Sequence, residues 1–211
     1  MPEITDISPQ VKDKERCNIY IDGRFYCGMK LETVLRNRLK AGEQIEISRL
    51  DELQLENERS EALDKGMKHL SVSMKTEKEM RDFLKKKGYV EAVIDFVIEK
   101  LTGYGFLNDE EYAKAYIQSN SRKKGRLLLS NELKRRGLQE EEIDTAMESL
   151  SGEKEAAAEI LKKYMKSKDC SKENLYKAFR YLLSKGFEYE TAKDALSDFA
   201  QDTEQDSGED F

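Results

Sequence analysis

The feature that most constrains the fold of this chain is a 49-residue repeat marked by three glycines. Gly88, Gly137 and Gly186 lie 49 residues apart. Their surroundings repeat as well, because each glycine has a leucine four positions before it and Tyr, Leu or Phe directly after it. A fixed period of this length is typical of repeat proteins, in which one unit buries its apolar face only by stacking on the next. The period therefore predicts an array of similar units.

Each repeat is predicted to contain three helices. The predicted first helices are 53–70, 109–119 and 153–168, where apolar residues recur at helical spacing. The second helices are predicted to end at the three marker glycines, because each glycine follows or lies near basic residues. A glycine in the left-handed conformation after a basic last turn is a common helix C-cap. The third helices are predicted to begin after one apolar residue.

Polar residues at the predicted helix starts support this assignment. Thr76 with Glu79 matches a capping box, in which each side chain binds the backbone N–H of the other residue. Asn108 with Glu111 has the same spacing. Ser171 is predicted to cap the second helix of the third repeat.

The first 51 residues differ from the rest and are predicted to form a small β-rich module. Asp22-Gly23 separates two β-prone runs, which is a strong hairpin signal. Ile4, Ile7 and Val11 predict one more strand, and 44–47 another. A short helix is also predicted, ending at Gly42, with one apolar face made of Leu31, Val34, Leu35 and Leu39.

The predicted fold class is mainly α: three tandem three-helix repeats in an elongated curved array, preceded by the β-rich module. The last residues are acidic without a compensating base from Asp198 onward, and we expect them to be disordered. The predicted boundaries are 1–51 for the module, 52–107, 108–151 and 152–200 for the repeats, and 201–211 for the acidic tail.

Composition argues against an enzyme, a metal site and a membrane protein. The chain has one histidine, His69, and three scattered cysteines, Cys17, Cys27 and Cys170. These residues do not have the spacing of a metal site, and an odd number of cysteines does not suggest a disulfide scaffold. No phosphate-binding glycine loop and no long apolar run occurs. We expect a cytoplasmic, monomeric, non-enzymatic protein without cofactors.

Clusters of basic residues are the strongest functional signal. Such clusters bind phosphates or an acidic protein surface, although a solvated helix face explains the Lys85–Lys87 and Lys134–Arg136 runs equally well. The densest run, 122–126, lies at a junction between helices close to Tyr116, and there we favour binding. The candidate contact residues are Arg81, Lys85, Lys86, Lys87, Arg122, Lys123, Lys124, Arg126, Lys134, Arg135, Arg136, Lys162, Lys163 and Lys166.

Two segments have the form of family signatures, GFLNDEEYA at 105–113 and GRLLLSNELKRRGL at 125–138. The first is similar to the G-hydrophobic-hydrophobic-D-D-E-R-F-A stretch of the RecX family, regulatory partners of the RecA recombinase, with Asn108 and Tyr112 as mild departures. The segment 125–138, GRLLLSNELKRRGL, resembles the signature of the family's second repeat, although Leu128 stands where a basic residue is common.

The resemblance implies three tandem three-helix repeats that bind the groove of a RecA filament on single-stranded DNA. It also implies modulation, usually inhibition, of strand exchange, ATP hydrolysis and coprotease activity in recombination and SOS repair. Two alternatives stay open from the residues alone. One is a helical module that binds single- or double-stranded DNA without RecA, and the other is a helical scaffold for another protein.

Overall fold

The computed structural model describes residues 1–11 and 13–206 and divides the chain into two compact units. The first unit contains Met1–Ser73 and Met80–Phe106. The second contains Met74–Glu79 and the chain from Leu107 onward. The described part is mainly helical with one small antiparallel sheet, which confirms the predicted mainly α class with a β-containing N-terminus.

The first unit begins with a three-stranded sheet and continues into helices. Its elements are β1 (Ile4–Pro9), β2 (Arg16–Ile21), β3 (Arg24–Lys30), α1 (Leu31–Arg36), α2 (Ile47–Leu70), α3 (Glu77–Lys86) and α4 (Glu91–Gly103), of which α3 has its first three residues in the second unit.

The second unit holds two further three-helix repeats. Its helices are α5 (Asp109–Asn120), α6 (Arg126–Arg135), α7 (Glu140–Met147), α8 (Glu153–Met165), α9 (Lys172–Ser184) and α10 (Tyr189–Asp206). The helices α3, α6 and α9 are the second helices of the three repeats. α10 continues to Asp206, past the predicted start of the acidic tail at 201, and residues 207–211 lie outside the described part.

The predicted hairpin is confirmed. β2 and β3 pair antiparallel around Asp22-Gly23, and both turn residues have positive φ, 46° and 75°, as a tight two-residue hairpin requires. β1 pairs antiparallel with β2 and ends at Pro9, so Val11 lies outside it and is exposed.

Two predictions about the N-terminal module were wrong. The predicted strand at 44–47 is only a single bridge between Gln44 and Glu3, because Ile47 already starts α2. The predicted helix is shorter than expected and ends at Arg36, since Arg38 adopts a left-handed φ of 52°. Leu35 lies within this helix but does not join the apolar face, and its side chain is 67% exposed.

α2 starts six residues earlier than predicted because its first turns belong to the core of the sheet. Leu50 and Leu53 are buried against Ile4, Ile19 and Met29. Burial of such side chains contributes about 1.5–3 kcal/mol each. α2 therefore crosses the predicted boundary between residues 51 and 52 without interruption.

A buried polar contact fixes the sheet on α2. The side chain of Asn57 is buried, and its Oδ1 accepts a 2.7 Å hydrogen bond from the N–H of Lys30 at the end of β3. Its Nδ2 donates to Glu61 over 2.9 Å, and Glu61 forms an ion pair with Arg16 of β2. Because buried polar groups need specific partners, this set defines where the sheet packs along the helix.

The predicted helix caps are confirmed. The Thr76 hydroxyl accepts the N–H of Glu79 over 3.1 Å, and the N–H of Thr76 donates to Glu79 over 3.3 Å. The Asn108 side chain accepts the N–H of Glu111 over 3.0 Å, and the Ser171 hydroxyl accepts from Asn174 over 3.4 Å.

The three marker glycines end the second helices, as predicted. Gly88, Gly137 and Gly186 have φ of 88°, 100° and 85°, in the left-handed region that side chains other than glycine's disfavour. In each repeat the residue after the glycine donates its N–H back to the leucine four positions before the glycine, over 3.3 Å in all three cases. This pattern is the expected C-cap arrangement.

Two of these glycines also lie at a contact that we call the repeat junction. Here the start of the second helix in one repeat binds the end of the second helix in the next. The Thr76 hydroxyl donates to the carbonyl of Arg136 over 2.7 Å, and the N–H of Gly125 donates to the carbonyl of Lys185 over 2.9 Å. Thr76 and Gly125 are 49 residues apart, as are Arg136 and Lys185.

A carboxylate from the next repeat completes each junction. The first N–H of α3, at Glu77, donates to Asp109 over 2.9 Å, and the first N–H of α6, at Arg126, donates to Glu153 over 2.8 Å. Asp109 and Glu153 are the first residues of α5 and α8. Each therefore satisfies a helix N-terminus that would otherwise lack a partner for this N–H. Both junctions lie within the second unit, because Met74–Glu79 belongs to it.

The junction leaves no room for a side chain at the later glycines. A Cβ at Gly137 would lie 2.5 Å from Cβ of Lys78, and one at Gly186 would lie 2.3 Å from Cβ of Leu128. A Cβ at Gly88 would have no neighbour within 4 Å. Glycine at this position of the repeat is thus required for its backbone conformation in all three repeats and for close packing in two.

Alanine substitutions should separate these two requirements. Gly88→Ala should lower the free energy of unfolding by about 1 kcal/mol, the cost of a left-handed non-glycine residue. Gly137→Ala and Gly186→Ala should lose a further ~1–3 kcal/mol through the clash at the junction. Urea denaturation followed by circular dichroism measures all three, and equal losses would contradict the packing role.

Thiol reactivity should follow the fold of the N-terminal module. Cys17 and Cys27 are buried and do not face each other, because Cys17 pairs with Met29 and Cys27 with Ile19. Burial raises the pKa of both thiols, that of Cys27 to about 11, so little thiolate forms at neutral pH. Cys170 is exposed.

We expect one fast-reacting thiol per native chain with Ellman's reagent and three in denaturant. Cys170→Ser should remove the fast phase. Two or three fast thiols in the native wild-type protein would contradict the burial of the module's cysteines.

Candidate partner-binding surface

The densest basic run follows α5, and one of its members is bound inside the second unit. Nζ of Lys124 lies 2.8 and 2.6 Å from the two carboxylate oxygens of Glu132 and 3.2 Å from the hydroxyl of Tyr116. That hydroxyl donates to Glu132 over 2.7 Å. Lys124 and Glu132 are only 24% and 25% exposed, so this pair is a partly buried ion pair with a shared tyrosine.

The three groups stabilise one another's charges. Burial opposes ionisation of Glu132, but the hydrogen bonds from Lys124 and Tyr116 outweigh it and lower the pKa of Glu132. Burial likewise opposes the charge of Lys124, and the hydrogen bonds to Glu132 and Tyr116 outweigh it and raise the pKa of Lys124. Both groups are therefore charged at neutral pH.

Arg136 at the end of α6 is also engaged within the second unit. Its guanidinium pairs with Glu79 and lies 5.8 Å from the ring centre of Tyr112 and 5.1 Å from that of Tyr116. Guanidinium groups at this distance from an aromatic face gain a cation–π contribution. The structure thus brings Lys124 and Arg136 together around Tyr116, and their charges are matched by Glu132 and Glu79.

The junction carboxylate of Asp109 lies close to this group. Burial raises the pKa of Asp109, and the neighbouring carboxylates of Glu142, Glu77 and Glu79 add to the effect, while the hydrogen bond from the N–H of Glu77 opposes it.

Several other predicted contact residues have carboxylate partners. Arg81 lies 3.2 Å from Glu91 and 2.7 Å from Asp95, and Lys85 shares Glu91 at 3.1 Å. These two bases are therefore brought together on the first unit. Two further bases have exposed carboxylate partners: Lys134, 2.7 Å from Glu140, and Lys163, 3.8 Å from Glu159. Such exposed pairs contribute little to stability and exchange readily for an external partner.

The remaining predicted residues present their charges to solvent. Arg122 and Lys123 are exposed in the turn after α5, and Arg126 is half-buried at the start of α6. Lys87 is exposed with its ammonium 5.5 Å from the ring centre of Phe83. The other exposed bases are Lys86, Arg135, Lys162 and Lys166.

The sequence pattern did not reveal which bases have internal partners. Glu132 is eight residues from Lys124, and Glu79 is 57 residues from Arg136, so neither pair follows from helical spacing. The 49-residue period contained a usable signal for the junction, because Thr76 and Gly125 occupy equivalent positions at helix starts.

Two kinds of feature are absent from the described ranges, a metal-binding cluster and a membrane-spanning helix. Among residues 1–11 and 13–206, no group of three or more His, Cys, Asp or Glu side chains is arranged to hold a metal ion. No helix in that part of the chain is long and apolar enough to cross a membrane.

The fold and its repeat junctions define a helical-repeat protein built from three-helix units, with a small antiparallel sheet at its N-terminus. Residues 2–46 match the family model described as the regulatory protein RecX N-terminal domain. Residues 62–101 and 108–147 match the models of the first and second three-helix domains of RecX.

Proteins similar to this chain are named after the same family. The chain is 33% identical to regulatory protein RecX of Bacillus licheniformis, over 99% of this chain and 81% of the relative. It is 34% identical to regulatory protein RecX of Clostridium perfringens, over 90% of this chain and 92% of the relative. The chain belongs to the RecX family.

Two crystal structures share the fold. One, of regulatory protein RecX, matches with a TM-score of 0.69 at 23% identity, over 92% of this chain and 98% of the other. The second, of RecX from Lactobacillus salivarius, matches with a TM-score of 0.63 at 23% identity, over 68% of this chain and 97% of the other.

The ion pair between Lys124 and Glu132 gives a test of the internal network. Glu132→Gln should lower the free energy of unfolding at pH 7 by about 1–3 kcal/mol, because it leaves a partly buried ammonium without its carboxylate. Since the pKa of Glu132 is lowered in the folded state, the stabilisation is present above the ordinary glutamate pKa of about 4.3 and is lost as the pH falls below it.

The wild type and Glu132→Gln should therefore differ less in free energy of unfolding at a pH below the ordinary glutamate pKa than at pH 7. Urea titrations at the two pH values measure this difference. Glu159→Gln, which removes the exposed and distant partner of Lys163, is the matched control and should change stability by less than about 0.5 kcal/mol. A pH-independent difference would contradict the ion pair.

Proposed function

We propose that this protein is a non-enzymatic regulator of RecA that binds the groove of the RecA filament on single-stranded DNA. It acts as an inhibitor of strand exchange and also modulates ATP hydrolysis and coprotease activity in recombination and SOS repair. Membership of a family of regulatory proteins is the observation that carries this proposal. The proposed setting is the cytoplasm, and the proposed form is a monomer without cofactors.

The exposed bases indicate how such binding would work. Arg122 and Lys123 present two cations in a turn. Arginine forms bidentate contacts with carboxylates and phosphates, both of which a nucleoprotein filament offers. We assign the main contact to this turn and supporting contacts to the other exposed bases of the predicted contact set, such as Lys86, Lys87, Arg135, Lys162 and Lys166. Lys124 and Arg136 then contribute by holding the second repeat together.

Several weak contacts suffice for strong binding to a polymer. Each exposed ion pair is worth at most about 1 kcal/mol. Contacts from successive repeats add through a high effective concentration once the first has formed. A repeat protein on a filament of repeated protomers is suited to this mode of binding.

Autonomous DNA binding is the main alternative, and the overall charge argues against it. The net charge is −6, whereas nucleic-acid-binding domains typically carry a clear excess of positive charge. We therefore expect weak binding to single- and double-stranded DNA in the absence of RecA. A steep salt dependence of tight binding to DNA alone would favour the alternative.

A RecA strand-exchange assay tests the proposal. Wild-type protein should inhibit the reaction, and the variant Arg122→Glu/Lys123→Glu should need roughly tenfold more protein for the same inhibition, since two exposed contacts become repulsive.

The control variant is Lys40→Glu/Lys193→Glu, which makes the same change in net charge at exposed positions outside the proposed contacts. It should inhibit like the wild type. No effect of wild-type protein on strand exchange or on the filament ATPase would overturn the proposed function, and equal loss in both variants would overturn the assigned contact.

A further inference from the structure

The ends of the three second helices have the same geometry. At Lys87, Arg136 and Lys185 the backbone N–H donates to two preceding carbonyls, over 3.2 and 3.0 Å, 3.2 and 3.0 Å, and 3.1 and 3.0 Å. The glycine that follows donates to the carbonyl three residues before it, over 2.9, 3.0 and 2.9 Å. The three ends are therefore copies of one backbone surface.

In the second and third repeats this surface binds a helix start. The carbonyls of Arg136 and Lys185 accept hydrogen bonds from the residues that precede α3 and α6, namely Thr76 and Gly125. The adjacent glycine then packs against the second or third residue of the bound helix, Lys78 or Leu128. Both surfaces are therefore occupied by a helix start, through the side-chain hydroxyl of Thr76 in one case and the backbone N–H of Gly125 in the other.

In the first repeat the equivalent surface is open. The carbonyl of Lys87 corresponds to those of Arg136 and Lys185, and it accepts no hydrogen bond from residues 1–11 or 13–206. A Cβ at Gly88 would meet nothing within 4 Å. Lys87 and Gly88 are exposed, and the side chain of Val90 is 58% exposed.

We propose that the surface Lys87–Val90 is a docking site for the N-terminal turn of a helix from another protein. The bound helix has Ser or Thr at its N-cap, whose hydroxyl donates to the carbonyl of Lys87 as Thr76 donates to Arg136. Its third residue is glutamate, which pairs with Lys87 as Glu79 pairs with Arg136. The glycine at 88 gives the bound backbone the close approach seen at Gly137.

The chain's own second helices do not supply this partner. The starts of α3 and α6 are engaged at the repeat junctions. The start of α9 is capped locally, because Asp169 accepts the hydroxyl of Ser171 over 2.7 Å and also binds the side chain of Asn174. A different protein with an accessible helix start of this type is therefore the occupant. The inference does not depend on RecA being that protein.

The native occupant of the second repeat is a suitable probe. A peptide of the sequence 74–86, acetylated, amidated and held helical by a lactam bridge, is titrated into the full-length ¹⁵N-labelled protein. We expect chemical-shift changes centred on Lys87, Gly88, Tyr89 and Val90. A control peptide with Thr76→Val and Glu79→Gln should bind roughly tenfold more weakly, through loss of one hydrogen bond and one ion pair.

Variants of the protein complete the test. Lys87→Glu should weaken binding of the unmodified peptide roughly tenfold, whereas Lys40→Glu, the same charge change at an exposed position far along the sequence, should not. Shift changes that are absent, lie elsewhere or are equal for both peptides would overturn the proposal. Shifts at Lys87–Val90 that depend on protein concentration without peptide would identify a second copy as the occupant and would also overturn it. The assay contains no RecA, so its outcome is separate from that of strand exchange.

Discussion

The contact on which the repeat architecture depends is the hydrogen bond between a helix start and the capped end of a helix one repeat later. A helix start has free N–H groups and a helix end has free carbonyls, and burying either without a partner is costly. At each junction one donor at the helix start, the Thr76 hydroxyl or the N–H of Gly125, binds a carbonyl at the helix end. A carboxylate from the first helix of the next repeat accepts the first helical N–H. Stacking of repeats thus satisfies polar backbone as well as burying apolar side chains.

The sequence predicted those parts of the fold that depend on local chemistry. Thr76, Asn108 and Ser171 cap helices because the required donor lies within one turn. The hairpin at Asp22-Gly23 was predictable because only a few residue types tolerate the positive φ angles of its turn. The early start of α2 was not predictable in this way, because it follows from packing against the sheet, whose strands lie far from it along the chain. The end of α1 was not predictable either, because the left-handed conformation of Arg38 is unusual for a residue other than glycine.

The candidate site also depends on contacts between residues that are far apart along the chain, which the sequence pattern does not show. A cluster of bases in a sequence gives the number of cations but not the carboxylates that the fold brings to them. Lys124, Arg136, Arg122 and Lys123 were all candidate contact residues. Two glutamates and two tyrosines engage Lys124 and Arg136, whereas Arg122 and Lys123 are exposed. Which charges are available to a partner is therefore a property of tertiary contacts.

The continuous course of α2 makes one rigid element serve two parts of the molecule. The matched family segments end at 46 and resume at 62, and the intervening residues form the first four turns of this helix. Those turns carry Leu50, Leu53 and Asn57, on which the sheet packs. The N-terminal sheet of this chain therefore has no core of its own without the helix that continues into the first repeat, although the two match separate family models.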